Sequence, residues 1–164
     1  MTRALPRAAI ALSLLVAGCC TTVPDGEKYF DRSRSAGETV RLFRYSVEAK
    51  QYGAAYRCLC TVFREKHTER ELSLAVRYGS FEGRGLREFI LEADQDPRSE
   101  PVQGFPPERA QWVTLVFFVD PADPATSTIE HSLFVVFEDG EWRIDPETNR
   151  PQHEQFFRDL SREE

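Results

Sequence analysis

The stretch Ile129–Ile144, IEHSLFVVFEDGEWRI, decides the fold. In its first half Ile129, His131, Leu133, Val135 and Phe137 fall on one face of an extended strand. Asp139-Gly140 is the residue pair that suits a type I′ turn, and Trp142 and Ile144 continue on the return strand. The pattern predicts an antiparallel hairpin with one apolar face. Working back, Trp112–Asp120, WVTLVFFVD, is β-rich and nearly continuous in apolar residues, as expected of a strand covered on both faces. Pro121–Ser127 reads as a turn-forming connection. Asp94–Arg109 holds four prolines and one glycine among acidic residues and reads as a long loop.

Upstream of that loop the apolar period changes from 2 to 3.6. Ser35-Ala-Gly-Glu38 fits a capping box, and Val40, Phe43 and Val47 form one stripe to about Lys50. After a break near Gln51–Gly53, Tyr52, Ala55, Tyr56 and Leu59 predict a second short helix. Thr68-Glu-Arg-Glu71 is another capping box, opening a helix with Leu72, Ala75 and Val76 inside and Gly79 as its C-cap. A loop through Gly83 and Gly85 follows, then a further helix carrying Leu86, Phe89, Ile90 and Ala93. Phe156, Phe157 and Leu160 suggest a terminal helix. Helices first and an antiparallel sheet afterwards make the fold class α+β.

This order resembles the nuclear transport factor 2-like superfamily. The resemblance rests on the helix Glu38–Lys50, the following Tyr52-Gly-Ala-Ala-Tyr56-Arg-Cys-Leu59 turn, and the hairpin Phe134–Ile144, and covers most of residues 36–145. It implies N-terminal helices packed on a curved antiparallel sheet, a cone-like roll, as one domain over residues 35–160. The family shows more strands than the three that are clear here, so the others would have to lie in residues 86–110. It also implies an apolar pocket. In enzymatic members, such as ketosteroid isomerase, polyketide cyclases and scytalone dehydratase, Asp, Tyr or His residues in that pocket move protons. No motif here matches theirs residue by residue.

The chain has 164 residues, of which 41% are hydrophobic and 29% charged, a composition that suits one packed domain and excludes a disordered chain. A net charge of -6 argues against general nucleic-acid binding, which needs a basic face for phosphates.

The N-terminus points to export. Arg3 and Arg7 form a positive region, and Ala8–Ala17, AAIALSLLVA, is a short apolar run. As a helix it would span about 15 Å, roughly half a bilayer core, too short for a stable membrane anchor. Leu15-Val16-Ala17-Gly18-Cys19 resembles the lipobox of bacterial lipoproteins. That resemblance implies cleavage of residues 1–18 and a diacylglyceryl group on the Cys19 sulfur. Position 20 is Cys, where an Asp would resemble an inner-membrane retention signal, so the expected place is the cell envelope, on the outer membrane facing the periplasm if the host has two membranes. Cleavage removes two arginines and no acidic residue, moving the net charge to -8. Residues 19–34 then form a lipidated polar tether.

His131, the one polar residue on the apolar face of its strand, is the leading site candidate. An imidazole there, near Asp120 or Tyr56, suits a general base or a grip on a ligand's polar group; the alternative is a hydrogen-bonded histidine at the sheet's edge. No metal site is expected. His67 and Glu71 have helical spacing, but Thr68 as N-cap leaves His67 outside the helix. No Gly-rich phosphate loop or nucleophile elbow is present, so no cofactor is expected. Cys58-Leu-Cys60 lacks redox spacing and reads as two buried small residues, or as partners for Cys20.

Three functions follow as expectations. The first is a membrane-anchored, non-catalytic module that binds a small apolar ligand or an envelope protein. The second is a small pocket enzyme using His131 for isomerase-, dehydratase- or cyclase-like proton transfer. The third is a structural envelope protein with a filled core, dimeric through its sheet.

Overall fold

In the computed structural model, which describes residues 34–81, 83–91, 97–118 and 128–160, the chain is α+β: six helices and a four-stranded antiparallel sheet. The export segment, Cys19 and Cys20, Ala93, Asp120 and the connection 121–127 lie outside the described residues.

Helix α1 (Ala36–Glu48) opens where expected. The Ser35 hydroxyl accepts from the Glu38 N–H, and the Ser35 N–H donates to the Glu38 carboxylate at 2.7 Å. Those bonds hold the Glu38 carboxyl below the usual range and contribute about 1 kcal/mol to the helix start. Its stripe buries Ala36, Val40 and Val47, with Phe43 packed beside them. Helix α2 (Tyr52–Arg57) stops two residues earlier than the apolar period suggests. Leu59 is instead extended and bridges Ile144 in parallel: the Ile144 N–H donates to Cys58 O, and the Cys60 N–H to Ile144 O, both at 2.8 Å. A short helix α3 (Thr61–Lys66) follows, with no sequence signal of its own.

The second capping box is present, with Thr68 and Glu71 bonded reciprocally at the start of α4 (Glu69–Tyr78). Gly79 caps that helix in an extended conformation rather than a left-handed one, its N–H returning to Ala75 O. The expected loop through Gly83 and Gly85 is a small hairpin, β1 (Ser80–Phe81) against β2 (Arg84–Gly85), with Gly83 at φ +76. Helix α5 (Leu86–Leu91) continues directly from it.

The loop expected over residues 94–109 contains a strand. β3 (Arg98–Pro101) pairs with β4 (Ala110–Phe118), which pairs with β5 (Thr128–Glu138) and then β6 (Glu141–Asp145). Asp139 and Gly140 take φ values of 51 and 82, the positive pair a type I′ turn requires. The sheet is covered on both faces. Val113, Leu115, Phe117, Val135 and Ile144 meet the helices in the main core, while Ala110, Trp112 and Phe134 pack with Val102 on the other side. Helix α6 (Arg150–Leu160) lies over that second face through the rings of His153 and Phe157. Of the two phenylalanines on this helix, Phe157 is half-buried and Phe156 is exposed.

Candidate functional site

The helices and the inner face of the sheet enclose a cavity of about 280 Å³. Each wall comes from a different element. Phe43 enters from α1, Phe63 from α3 and Leu72 from α4; Phe81 and Phe89 come from the small hairpin and α5. The floor is Leu115 and Phe117 of β4 with His131 and Leu133 of β5. Register explains the floor: Leu115 pairs with His131 and Val113 with Leu133, so alternation sends all four side chains to one face.

The aromatic side chains pack on one another. Phe89 stacks on Phe117 with centroids 3.8 Å apart, and Phe81 meets Phe89 at 4.3 Å. The His131 imidazole stands edge-on to Phe81 at 5.2 Å and to Phe89 at 6.4 Å.

Among the described lining side chains two are polar beyond the carbon skeleton, Arg44 and His131. Arg44 is tied to the last residues of α5: its Nε donates to Ile90 O and its Nη2 to Leu91 O, each at 3.1 Å. His131 is half-buried, and no described residue hydrogen-bonds its ring. Burial pushes its imidazole below the ordinary value, so it is neutral near pH 7.

Tyr56 stands apart from this histidine. Its hydroxyl sits 2.9 Å from Arg64 O and 2.6 Å from His67 O, tying the α3–α4 connection, and it does not line the cavity. No acidic side chain appears among the lining residues described, and Asp120, the acidic partner expected for His131, lies outside the described residues. The arrangement can enclose an apolar molecule and offer it one neutral hydrogen-bonding group.

A second cavity, about 310 Å³, lies on the opposite face between β3, β4 and α6, with Trp112, Arg150 and His153 among its walls. Arg150 is matched by Glu100 and Glu154, each at 2.8 Å, and also donates to Ser132 at 3.2 Å. Its charge is already neutralised, which leaves little attraction for an anion.

His67 caps α3, outside both flanking helices, with Nε2 3.5 Å from Glu147. Among the described residues no three His, Cys, Asp or Glu side chains come together as a metal would require. Cys58 and Cys60 are buried free thiols, and burial pushes the Cys58 thiol up to about 12. That removes it from thiolate chemistry at neutral pH.

Sequence reasoning had not found the helical wall. Periodicity places Phe43 on the α1 stripe, while Phe63 and Phe81 belong to no apolar stripe in the sequence. The one local signal was the repeated phenylalanine in segments of otherwise mixed charge. The chain matches no protein-family model, no curated protein and no solved structure.

Proposed function

We propose that the protein is a lipid-anchored envelope module whose domain, of the nuclear transport factor 2-like kind, binds a small apolar molecule without transforming it. The observation that carries this reading is the cavity of about 280 Å³ walled by five phenylalanines from five elements. Filling that space with side chains would stabilise the core, and its aromatic walls suit a ligand in their place. The lack of a carboxylate among the lining residues described favours binding over proton transfer by His131. The Leu15–Cys19 motif, with the polar segment after it, supports attachment through a lipid on Cys19, in the cell envelope and at the outer membrane of a two-membraned host.

Native mass spectrometry of the full chain, extracted from membranes in mild detergent, tests the binding. The expected result is a reproducible small-molecule adduct that Ala75→Phe, a bulky change at a lining position, removes. An adduct that persists in a folded Ala75→Phe protein, or none under any extraction, refutes the reading.

A further inference from the structure

We propose that the ligand of this cavity is neutral, has about eleven non-hydrogen atoms, and presents a single hydroxyl or carbonyl group to His131, which sets the cavity's specificity. The inference rests on the reading of the cavity as a ligand site and adds to it the ligand's size, charge and one polar contact.

Size follows from volume. A dry protein cavity of roughly 150 Å³ takes one benzene. At the same ratio about 280 Å³ takes about eleven non-hydrogen atoms, near the size of a two-ring aromatic. Phe81, tilted against Phe89, and Phe117, stacked on it, give such a molecule an aromatic wall.

Charge follows from the two polar lining groups. A ligand anion would need a cation, yet the Arg44 donors already satisfy Ile90 O and Leu91 O. Turning Arg44 toward an anion would break both of those bonds. A ligand cation would need a carboxylate, and none lies among the described lining residues. A neutral molecule meets neither cost.

The polar contact follows from His131. A neutral imidazole has one N–H donor and one bare nitrogen acceptor, and no described residue bonds either. A wholly apolar ligand would shut those atoms away from water with no partner. A hydroxyl or carbonyl at that end restores the bond, so the cavity prefers ligands that carry one.

Three probes test this with the full chain in detergent: naphthalene, 1-naphthol and the anion 1-naphthoate, measured by displacement and by calorimetry. Wild type should bind 1-naphthol about tenfold more tightly than naphthalene, and 1-naphthoate most weakly. His131→Phe should bring the naphthol-to-naphthalene ratio to about one with naphthalene affinity held within about twofold. His131→Gln, which restores a donor and an acceptor, should recover most of the preference. Equal binding of the two neutral probes by wild type, strongest binding of naphthoate, or a preference that survives His131→Phe overturns the inference while leaving the ligand site standing. Failure of all three probes to bind overturns both. The wild-type ranking decides the matter even where a variant does not fold.

Discussion

Cys58 makes the core sensitive to alkali in a way that can be measured. Its side chain is fully buried at the junction of α2 and the β6 bridge, where Sγ lies 3.5 Å from Ala54 O. Burial opposes the thiolate more than the nearby Arg34, Arg143 and Arg57 favour it, and the thiol moves from 9.0 to about 12. A folded pKa raised in this way leaves stability intact below pH 9. Stability is lost as pH rises from 9 towards 12, because the unfolded thiol ionises first. Each pH unit inside that window costs about 1.4 kcal/mol, so by about pH 10.5 the loss is about 2 kcal/mol. Urea unfolding followed by far-ultraviolet circular dichroism, at about pH 8 and about pH 10.5, compares wild type with Cys58→Ala. Other alkaline groups titrate in both proteins and cancel. The variant should start about 1 kcal/mol less stable, from lost packing, and then gain about 2 kcal/mol on wild type across the interval. Parallel losses within about 0.5 kcal/mol would refute a buried, neutral thiol at this position.

Trp142 is nearly buried against Phe137, with ring centroids 5.3 Å apart, so Trp142→Ala should cost about 3–5 kcal/mol by urea unfolding. A loss below about 1 kcal/mol would mean the ring is not core. Gly104 has φ +85 and a Cβ there would overlap the Phe157 ring, whereas Gly83 has φ +76 and open space around it. Gly104→Ala should therefore lose about 1–3 kcal/mol and alter the near-ultraviolet signal of Trp112, while Gly83→Ala loses only the conformational part. Equal effects at the two glycines would rule out the α6 contact. On the lipid-anchor reading, Cys19→Ser should release the protein from membranes and abolish its acyl mass. Membrane association unchanged, with no acyl group on wild type, would end that reading.

What was legible in the sequence is what short-range chemistry decides. Ser35 with Glu38 and Thr68 with Glu71 mark helix starts because each pair satisfies backbone donors within one turn. Asp139-Gly140 marks the hairpin because few residues accept positive φ. β3 was hidden because Arg-Ser-Glu-Pro has no apolar alternation; it is extended through pairing with Gln111–Thr114 on β4, a long-range cause. Helix α3 was hidden because Cys60 contributes no capping bond from its side chain. At the site, parity alone put His131 on the inner face. The choice of Tyr56 as its neighbour failed because the hydroxyl found carbonyls eight and eleven residues along the chain. The phenylalanine wall depends on which helix faces meet, and that depends on packing across the whole domain.

The backbone bonds that Ile144 exchanges with Cys58 and Cys60 also limit how copies of this chain can associate. They occupy the outer side of β6 where another chain's strand would otherwise add. On the opposite side, β3 is four residues long and ends at Pro101, which has no N–H to offer. Continuous fibre growth by strand addition needs two open edges on every copy, and among the described residues this sheet leaves one, short and weakened. Strand addition at that edge pairs β3 against β3, and such a pairing closes at two chains.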